Sequence, residues 1–365
     1  MGKNWGDRPW KIDFRPLRRT LPTAVDIAVV GGGFTGLAAA AWAKTLAPER
    51  TVAVFESDVM GAGSSGHTGG MVLAETAAGD LPGLGDVLRG YQKILTRLNV
   101  DAGLTLPGAF ELGRSNPMNK SPISWQDSGD LRAVAEVPGG SIDPGRVVSG
   151  LARAAERAGV LLFEHAAVED MKFPDTLELR STVGALRAAN VLFATNAFAL
   201  ELNGMNGRVE TAFTIAVMTE PLAETALAEI GLGERKPFYT VDLPYLWGRL
   251  LGDAVIFGSG LIFFEDWRGF DQLDINRGQA VQVFERLQNR VKKLHPVLEN
   301  VQFSHRWGGP ICISEEWKPV FERHRKSKNA IVLGGFSGHG VALSVYLGAW
   351  AAEALLGKRE LPDWS

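Results

Sequence analysis

Three glycines and one glutamate have the residue types and spacing of a nucleotide-binding site. Gly31, Gly33 and Gly36 form the pattern G-x-G-x-x-G directly after the apolar run 25–30. In this pattern the first glycine permits a tight turn, the second lets the backbone approach a pyrophosphate, and the third lets a helix pack closely on a strand. Glu56 lies twenty positions after Gly36, where a carboxylate accepts hydrogen bonds from ribose hydroxyls. We predict a dinucleotide site in which this carboxylate disfavours a 2′-phosphate.

The elements that must position these residues are also present. Residues 25–30 form a β-branched apolar run typical of a buried parallel strand, and 51–56 form a second one. An alanine-rich segment from about residue 35 to 46 lies between them and predicts a helix. Strand, helix and strand make a βαβ unit, in which the helix N-terminus directs free N–H groups at the phosphates.

Two further glycine-rich segments favour FAD over NAD, which the first pattern alone does not separate. Residues 61–70 follow the ribose strand, and their small and hydroxyl side chains suit an extended pyrophosphate and a flavin ring. Residues 334–340 precede the last predicted helix, whose N-terminus would stabilise negative charge on a reduced flavin. Either segment alone is compatible with an ordinary loop, but together they predict FAD.

The bulk composition is that of an ordinary soluble protein. The chain has 365 residues and a formal net charge of -3, which predicts neither a nucleic acid nor an anionic membrane as partner. The single Cys312 excludes an intramolecular disulfide, and the six histidines show no metal-binding spacing, so we expect no metal. Residues 1–24 lack the apolar core of a signal peptide, and the longest apolar stretch, 27–43, is broken by glycines and too short for a membrane span. We expect a cytoplasmic protein; its oligomeric state stays open.

The pattern along the chain changes several times and predicts two interleaved domains. The fold class is α/β, or α+β overall, with a Rossmann-like FAD-binding domain and a mainly antiparallel β-sheet substrate domain. The FAD-binding domain is predicted to comprise residues 1–75, 140–205 and 305–365. The substrate domain is predicted to comprise residues 76–139 and 206–304. Residues 1–24 are predicted to form an extended arm lying on the surface.

Five motifs extend over nearly the whole chain. They are V-V-G-G-G-F-T-G-L (29–37), G-S-S-G-H-T-G-G (63–70), F-A-T-N-A-F (193–198), R-W-G-G-P (306–310) and G-G-F-S-G-H-G (334–340). With these motifs the chain resembles the D-amino-acid oxidase and glycine oxidase superfamily of FAD proteins. It is most similar to the γ-glutamylputrescine oxidoreductase-like branch, which has a Trp-bearing leader.

The resemblance implies oxidation of a C–N bond in an amine or amino-acid-like substrate. Hydride would leave the carbon next to the amine for flavin N5, and the imine would hydrolyse in water. The electrons would then pass to oxygen. One alternative is a dehydrogenase that passes them to a quinone, a flavoprotein or another carrier. Another is a flavin-binding subunit whose pocket is catalytically silent.

Three positions depart from the family pattern. Ile311 stands where amino-acid oxidases have a carboxylate-binding arginine, which disfavours a simple α-amino acid as substrate. Ile256 stands where the sarcosine-oxidase branch has an oxygen-activating lysine, which argues against a fast reaction with oxygen. His67 occupies the place where dimethylglycine and sarcosine dehydrogenases attach FAD covalently; the alternative is a loop histidine that only hydrogen-bonds.

The substrate side is predicted from an alternating pattern. Tyr245, Trp247 and Arg249 would share one face of a strand and form an aromatic wall with one cation above the flavin. The alternative is a packed face with Arg249 extending to water. We assign catalytic roles to Tyr245, Arg249 and Trp307.

The predicted cofactor-binding residues are Gly31, Gly33, Phe34, Thr35, Gly36, Glu56, Ser57, Gly63, Ser64, Ser65, His67, Thr68, Gly69, Gly70, Met71, Val168, Ala194, Thr195, Asn196, Gly335, Phe336, Ser337, Gly338, His339 and Gly340.

Overall fold

A computed structural model describes residues 3–173 and 177–364. The helices are α1 (Phe34–Leu46), α2 (Ser64–His67), α3 (Val87–Leu98), α4 (Pro144–Arg157), α5 (Leu200–Asn203), α6 (Glu224–Glu229), α7 (Gly278–Leu294) and α8 (Gly340–Leu355). The strands are β1 (Gly6–Asp7), β2 (Ala24–Val30), β3 (Val52–Phe55), β4 (Met71–Leu73), β5 (Ala109–Gly113), β6 (Ser124–Gln126), β7 (Asp130–Val137), β8 (Gly139–Ser141), β9 (Leu161–Phe163), β10 (Val168–Lys172), β11 (Leu177–Ser181), β12 (Gly184–Phe193), β13 (Val209–Thr219), β14 (Phe238–Thr240), β15 (Trp247–Leu251), β16 (Ala254–Phe264), β17 (Phe303–Ser314), β18 (Val320–His324) and β19 (Ser327–Gly334). Among the helices of the described segments, none is long and apolar enough to cross a membrane.

The predicted βαβ unit lies at the centre of a mostly parallel sheet. Strands β19, β12, β2, β3 and β9 are neighbours in that order and all pair in parallel. Helix α1 connects β2 to β3 and packs against α8 and α4. Its alanines 38–41 are buried, and a Cβ on Gly348 of α8 would lie 2.6 Å from the carbonyl oxygen of Thr35. The small residues let the two helices approach closely, which confirms the predicted α/β architecture.

The second sheet is mainly antiparallel, as predicted. Its strand order is β1-β17-β13-β16-β15-β14-β5-β7-β6, and only β14 and β5 pair in parallel. Strand β17 belongs to this sheet, although a domain boundary was predicted at residue 305. The chain returns to the first sheet with β18 and β19. We keep the remaining domain boundaries as a prediction.

Two tryptophans anchor the first part of the N-terminal arm in the protein, although the whole arm was predicted to lie on the surface. Trp5 and Trp10 are only 4% and 5% exposed. Strand β1 pairs with the edge strand β17, with Gly6 opposite Trp307. The chain then crosses to α4, where the backbone N–H of Asp13 donates to Oγ of Ser149 at 2.9 Å. The arm therefore contacts β17 of the antiparallel sheet and helix α4, which packs against α1 of the βαβ unit.

Candidate active site

The turn between β2 and α1 has the geometry of a pyrophosphate site. Gly31 has a φ of +111°, and a Cβ there would lie 2.6 Å from the carbonyl oxygen of Ala194. A Cβ on Gly36 would lie 2.0 Å from the carbonyl oxygen of Gly31. Helix α1 starts after Gly33, which supplies no side-chain cap, and the N–H of Phe34 donates to Oγ of Ser65 at 2.9 Å. The helix N-terminus thus faces the loop 63–70 without a charged group in between.

The carboxylate predicted to bind the ribose accepts a hydrogen bond from the same turn. Glu56 follows β3, and its Oε2 accepts from the backbone N–H of Gly32 at 2.8 Å. Its Oε1 accepts from the N–H of Asp58 at 3.0 Å and from Oγ of Ser57 at 3.1 Å. Burial raises the pKa of Glu56, and these backbone hydrogen bonds oppose the rise. The carboxylate is fixed at the carboxyl end of the parallel strands, where nucleotides bind in such sheets.

Asn196 joins two of the predicted cofactor loops. Its Nδ2 donates to Oγ of Ser64 at 3.3 Å, and its Oδ1 accepts from the N–H of Gly335 at 3.1 Å. The loop before α8 is held further by Ser337, whose N–H donates to the carbonyl oxygen of Cys312 at 3.0 Å. Segments 63–70, 194–196 and 335–340 therefore meet. The sequence motifs had predicted that all three segments belong to one cofactor site.

The α8 N-terminus resembles that of α1 in having no side-chain cap. Its N-cap residue His339 makes no capping hydrogen bond, and burial lowers the pKa of this imidazole. Two helix starts whose N-cap residues supply no side-chain cap, and a carboxylate at the ribose position, are the donors and acceptor that a flavin dinucleotide needs. The residues present therefore fit FAD. Within the described residues, no cluster of three or more histidine, cysteine, aspartate or glutamate side chains is placed to hold a metal.

His67 is enclosed and has a partner on each ring nitrogen. Nδ1 lies 2.9 Å from the carbonyl oxygen of Gly63, and Nε2 lies 2.8 Å from Nη1 of Arg8. A carbonyl only accepts and a guanidinium only donates, so Nδ1 carries the hydrogen and Nε2 is the acceptor. Burial, then the positive charge of Arg8, lowers the pKa of His67 to about 3. The imidazole is neutral and in one tautomer.

Two residues of β15, Trp247 and Arg249, contact the predicted cofactor loop, whereas Tyr245 lies two residues before the strand begins. A Cβ on Gly69 would lie 2.1 Å from the Trp247 ring. The Arg249 side chain is 3% exposed, and its Nε donates to the carbonyl oxygen of Gly69. The alternative in which this guanidinium extends to water is therefore wrong, because it points at the buried loop. Trp10 from the N-terminal arm covers it, with the guanidinium carbon 5.8 Å from the ring centroid.

One donor of Arg249 has no acceptor among the described residues. Nη1 donates to the carbonyl oxygen of Leu250 at 3.0 Å, whereas Nη2 is buried without a partner. A Cβ on Gly70 would lie 3.0 Å from this Nη2, so the free donor lies beside the loop. Burial lowers the pKa of Arg249 to about 10, opposed by the charge of Asp143. A buried donor without an acceptor is costly, so this corner suits an anion.

The other two predicted catalytic residues, Tyr245 and Trp307, hydrogen-bond to protein atoms through their polar groups. Tyr245 donates from its hydroxyl to the carbonyl oxygen of Gly260 at 3.0 Å and lies 3.1 Å from Oγ1 of Thr214. Burial raises the pKa of this phenol to about 12. Trp307 is fully buried, and its Nε1 donates to the carbonyl oxygen of His67 at 3.0 Å. Catalytic roles for both stay predictions.

Three other predicted residues lie at or near the ends of strands. Ser57 is exposed, Val168 is the first residue of β10, and Met71 is the first residue of β4. Sequence reasoning missed Arg8 and the indole of Trp10, which donates to the carbonyl oxygen of Gly66 at 2.8 Å. The two tryptophans of the leader were the only available signal. Their spacing has no strand or helix period, so it predicted no contact.

Comparisons with known proteins identify the family of this chain. A model of the DAO family, described as FAD dependent oxidoreductase, matches residues 26–354. The probable oxidoreductase OrdL of Haemophilus influenzae is 30% identical over 228 residues, so the match covers 60% of this chain and 48% of that protein. The chain thus matches about half the length of that relative.

Two other similar proteins are matched over most of their length. The gamma-glutamylputrescine oxidoreductase of Escherichia coli is 24% identical over 390 residues, covering 93% of this chain and 85% of that protein. A crystal structure of glycine oxidase from Geobacillus kaustophilus has a TM-score of 0.72 at 20% identity, covering 93% of this chain and 96% of that chain. The resemblance predicted from the motifs is confirmed. The chain belongs to the DAO family of FAD dependent oxidoreductases.

Proposed function

We propose that this FAD dependent oxidoreductase oxidises the C–N bond of an amine that carries a negatively charged group. The observation that carries the proposal is the contact of Trp247 and Arg249 with Gly69, which joins a cation and an aromatic ring to the cofactor loop. The names of the similar proteins, glycine oxidase and gamma-glutamylputrescine oxidoreductase, support an amine or amino-acid-like substrate.

Each part of the site has a proposed role. When bound, FAD supplies the acceptor for hydride from the carbon next to the amine nitrogen. Glu56 holds the ribose hydroxyls, and the N-termini of α1 and α8 hold negative charge on the phosphates and on the flavin. Trp247 and Tyr245 exclude water and orient the substrate. Arg249 binds the substrate anion through its free Nη2.

The anion subsite that we propose differs from the one implied by the family pattern. Ile311 lies on β17, whereas Arg249 lies on β15, and β13 and β16 separate the two strands. Three strand spacings correspond to roughly 14 Å across the sheet. We therefore propose a substrate whose carboxylate lies away from the position that an α-carboxylate would occupy at β17.

A dehydrogenase is the second candidate, and Ile256 favours it. This side chain is fully buried and lies opposite Arg249 in the β15–β16 pairing. It offers no titratable group to assist oxygen reduction. We therefore expect slow reoxidation of the flavin by oxygen and faster reoxidation by a quinone-type acceptor.

Anaerobic titration of the purified holoenzyme tests the proposed function. We expect carboxylate-bearing amines to bleach the flavin absorption near ~450 nm, since hydride transfer reduces the ring. Mixing the reduced enzyme with oxygen or with a soluble quinone then compares the two acceptors. A flavin that no amine bleaches would contradict the proposal and favour a catalytically silent flavin-binding subunit.

We also propose that FAD is bound without a covalent bond. Both nitrogens of His67 are hydrogen-bonded, so neither offers a free lone pair to the cofactor. Acid precipitation of the holoenzyme should leave the yellow colour in the supernatant, and His67→Asn should give the same result. Colour in the pellet of the wild type, lost in His67→Asn, would instead establish covalent attachment.

A further inference from the structure

We infer that residues 4–10, named here the N-terminal clasp, form one wall of the cofactor site, and that Arg8 is its positioning residue. Arg8 holds His67, and through it the loop 63–70, in one arrangement. The inference rests on the proposed function to the extent that FAD lies against this loop. It assigns a role to a segment that lies outside the five sequence motifs at 29–37, 63–70, 193–198, 306–310 and 334–340.

The clasp is anchored to the segment 270–274, which follows β16, and to strand β17, and neither anchor involves His67. Asn4 donates from Nδ2 to Oδ1 of Asp274 at 2.9 Å, and Trp5 donates from Nε1 to the carbonyl oxygen of Phe270 at 2.9 Å. Gly6 pairs with Trp307 in β17, where a Cβ on Gly6 would lie 2.3 Å from a backbone oxygen. These contacts fix the position from which Arg8 and Trp10 extend.

The loop that the clasp contacts contains a helix too short to be stable alone. Helix α2 has four residues, and a helix of one turn has no net stability in water. The last carbonyl groups of a helix also lack partners within it. Here the carbonyl oxygen of Gly66 accepts from Trp10, and that of His67 accepts from Trp307. Two indoles, one of them from the clasp, therefore complete this turn.

The contact between Arg8 and His67 fixes both the charge and the orientation of the imidazole. A guanidinium 2.8 Å from Nε2 excludes a proton on that nitrogen. The charged groups that act on the ring are Arg8 and Lys3, and the Lys3 ammonium pairs with Asp58 at 3.1 Å. The other ring neighbour from the clasp is Trp5, edge-on at 5.1 Å, which is neutral. Within the described segments, no carboxylate contributes to the pKa shift of His67.

Loss of Arg8 should make the loop sensitive to pH. Without the guanidinium, Nε2 is free to take a proton, and the pKa of His67 rises from about 3 only part of the way toward 6.5, because burial, the larger cause of the low pKa, stays. The imidazolium would then form as the pH falls through this new value. A charged, reoriented ring would disturb the loop that Ser64 and Ser65 connect to Asn196 and α1.

The experiment compares holoenzymes with Arg8→Met, Arg8→Lys and the double change Arg8→Met with His67→Asn. The FAD dissociation constant and the visible flavin spectrum are measured from roughly pH 4 to pH 8, because burial holds the pKa of His67 below the ordinary range of histidine. We expect flat profiles for the wild type and for Arg8→Lys, which keeps a charged donor. Arg8→Met should bind FAD about tenfold more weakly, as for loss of a charge-assisted hydrogen bond, and more weakly still at low pH. The double variant should lose the pH dependence.

A flat profile and wild-type affinity in Arg8→Met would overturn the inference. A fall in thermal stability without any pH step would do the same, because it is the signature of a merely structural residue. Should Arg8→Met fail to fold, Trp10→Phe keeps an aromatic ring but removes the donor to Gly66, and wild-type FAD affinity in that variant is the overturning result. A wild type that binds no FAD would instead overturn the proposed function and this inference together.

Discussion

Replacing Arg249 by methionine is expected to raise the KM for a carboxylate-bearing amine by about 100-fold, as for truncation of one partner of a buried charge pair. The guanidinium is buried, and Nη2 is free beside Gly70, so an anionic substrate would gain its main electrostatic contact there. Methionine has a similar length and no charge. Steady-state kinetics with a soluble quinone-type acceptor measure the KM, and anaerobic flavin reduction measures the concentration dependence of the reductive half-reaction separately.

The control for this prediction is an amine of the same shape that lacks the carboxylate. Its KM should change little in Arg249→Met, because it makes no contact that the variant loses. Arg249→Lys should recover only part of the affinity, since an ammonium lacks the fork that binds a carboxylate through two parallel hydrogen bonds. Equal losses for both amines would contradict the anion subsite.

Stability gives an independent readout for Arg249. A buried cation with an unpaired donor carries a desolvation cost, and apolar replacements of buried ionic groups are often neutral or stabilising. The FAD-bound Arg249→Met variant should therefore unfold at the same temperature as the wild type or higher, while it binds the anionic amine poorly. A structural residue would show the opposite combination.

The cofactor side of this site was predictable from sequence because its constraints are local. Gly31 must adopt a positive φ, and Gly36 must let α1 lie against the turn, so both positions are visible as residue types at fixed spacing. Glu56 is visible because the strand before it is a continuous apolar run. The same reasoning placed α1 at residues 35–46, within one residue of its observed start.

The substrate side was less predictable because its residues act through long-range packing. Arg249 was compatible with either a site or an exposed sheet face, and only its burial under Trp10 decides between them. The predicted domain boundary at residue 305 falls within β17, which pairs with β13 of the antiparallel sheet along its length. Trp5 and Trp10 are isolated apolar residues in a leader without periodicity, and sequence patterns predict buried faces only where apolar residues recur.

A matched pair of glycine substitutions should separate the folding of the nucleotide turn from its binding of FAD. Gly36→Ala is expected to destabilise the protein by about 3 kcal/mol or more, at the upper end of overpacking costs. Its methyl group would lie 2.0 Å from the backbone oxygen of Gly31, and backbone atoms cannot move aside without separating α1 from β2. Urea unfolding measures the loss, and FAD binding should be lost with it.

Gly33→Ala should instead leave the apoprotein folded and weaken FAD binding by about 100-fold, which corresponds to an overpacking cost within the usual range. Gly33 is extended, with a φ of -86°, so alanine fits its backbone conformation. The methyl group would meet only Oγ of Ser65 at 2.7 Å, and a serine side chain can rotate away. The methyl group then stands at the start of α1, where a pyrophosphate must approach the backbone. Wild-type FAD affinity in Gly33→Ala would place the phosphates elsewhere, whereas normal unfolding of Gly36→Ala would contradict the close packing of α1 on this turn.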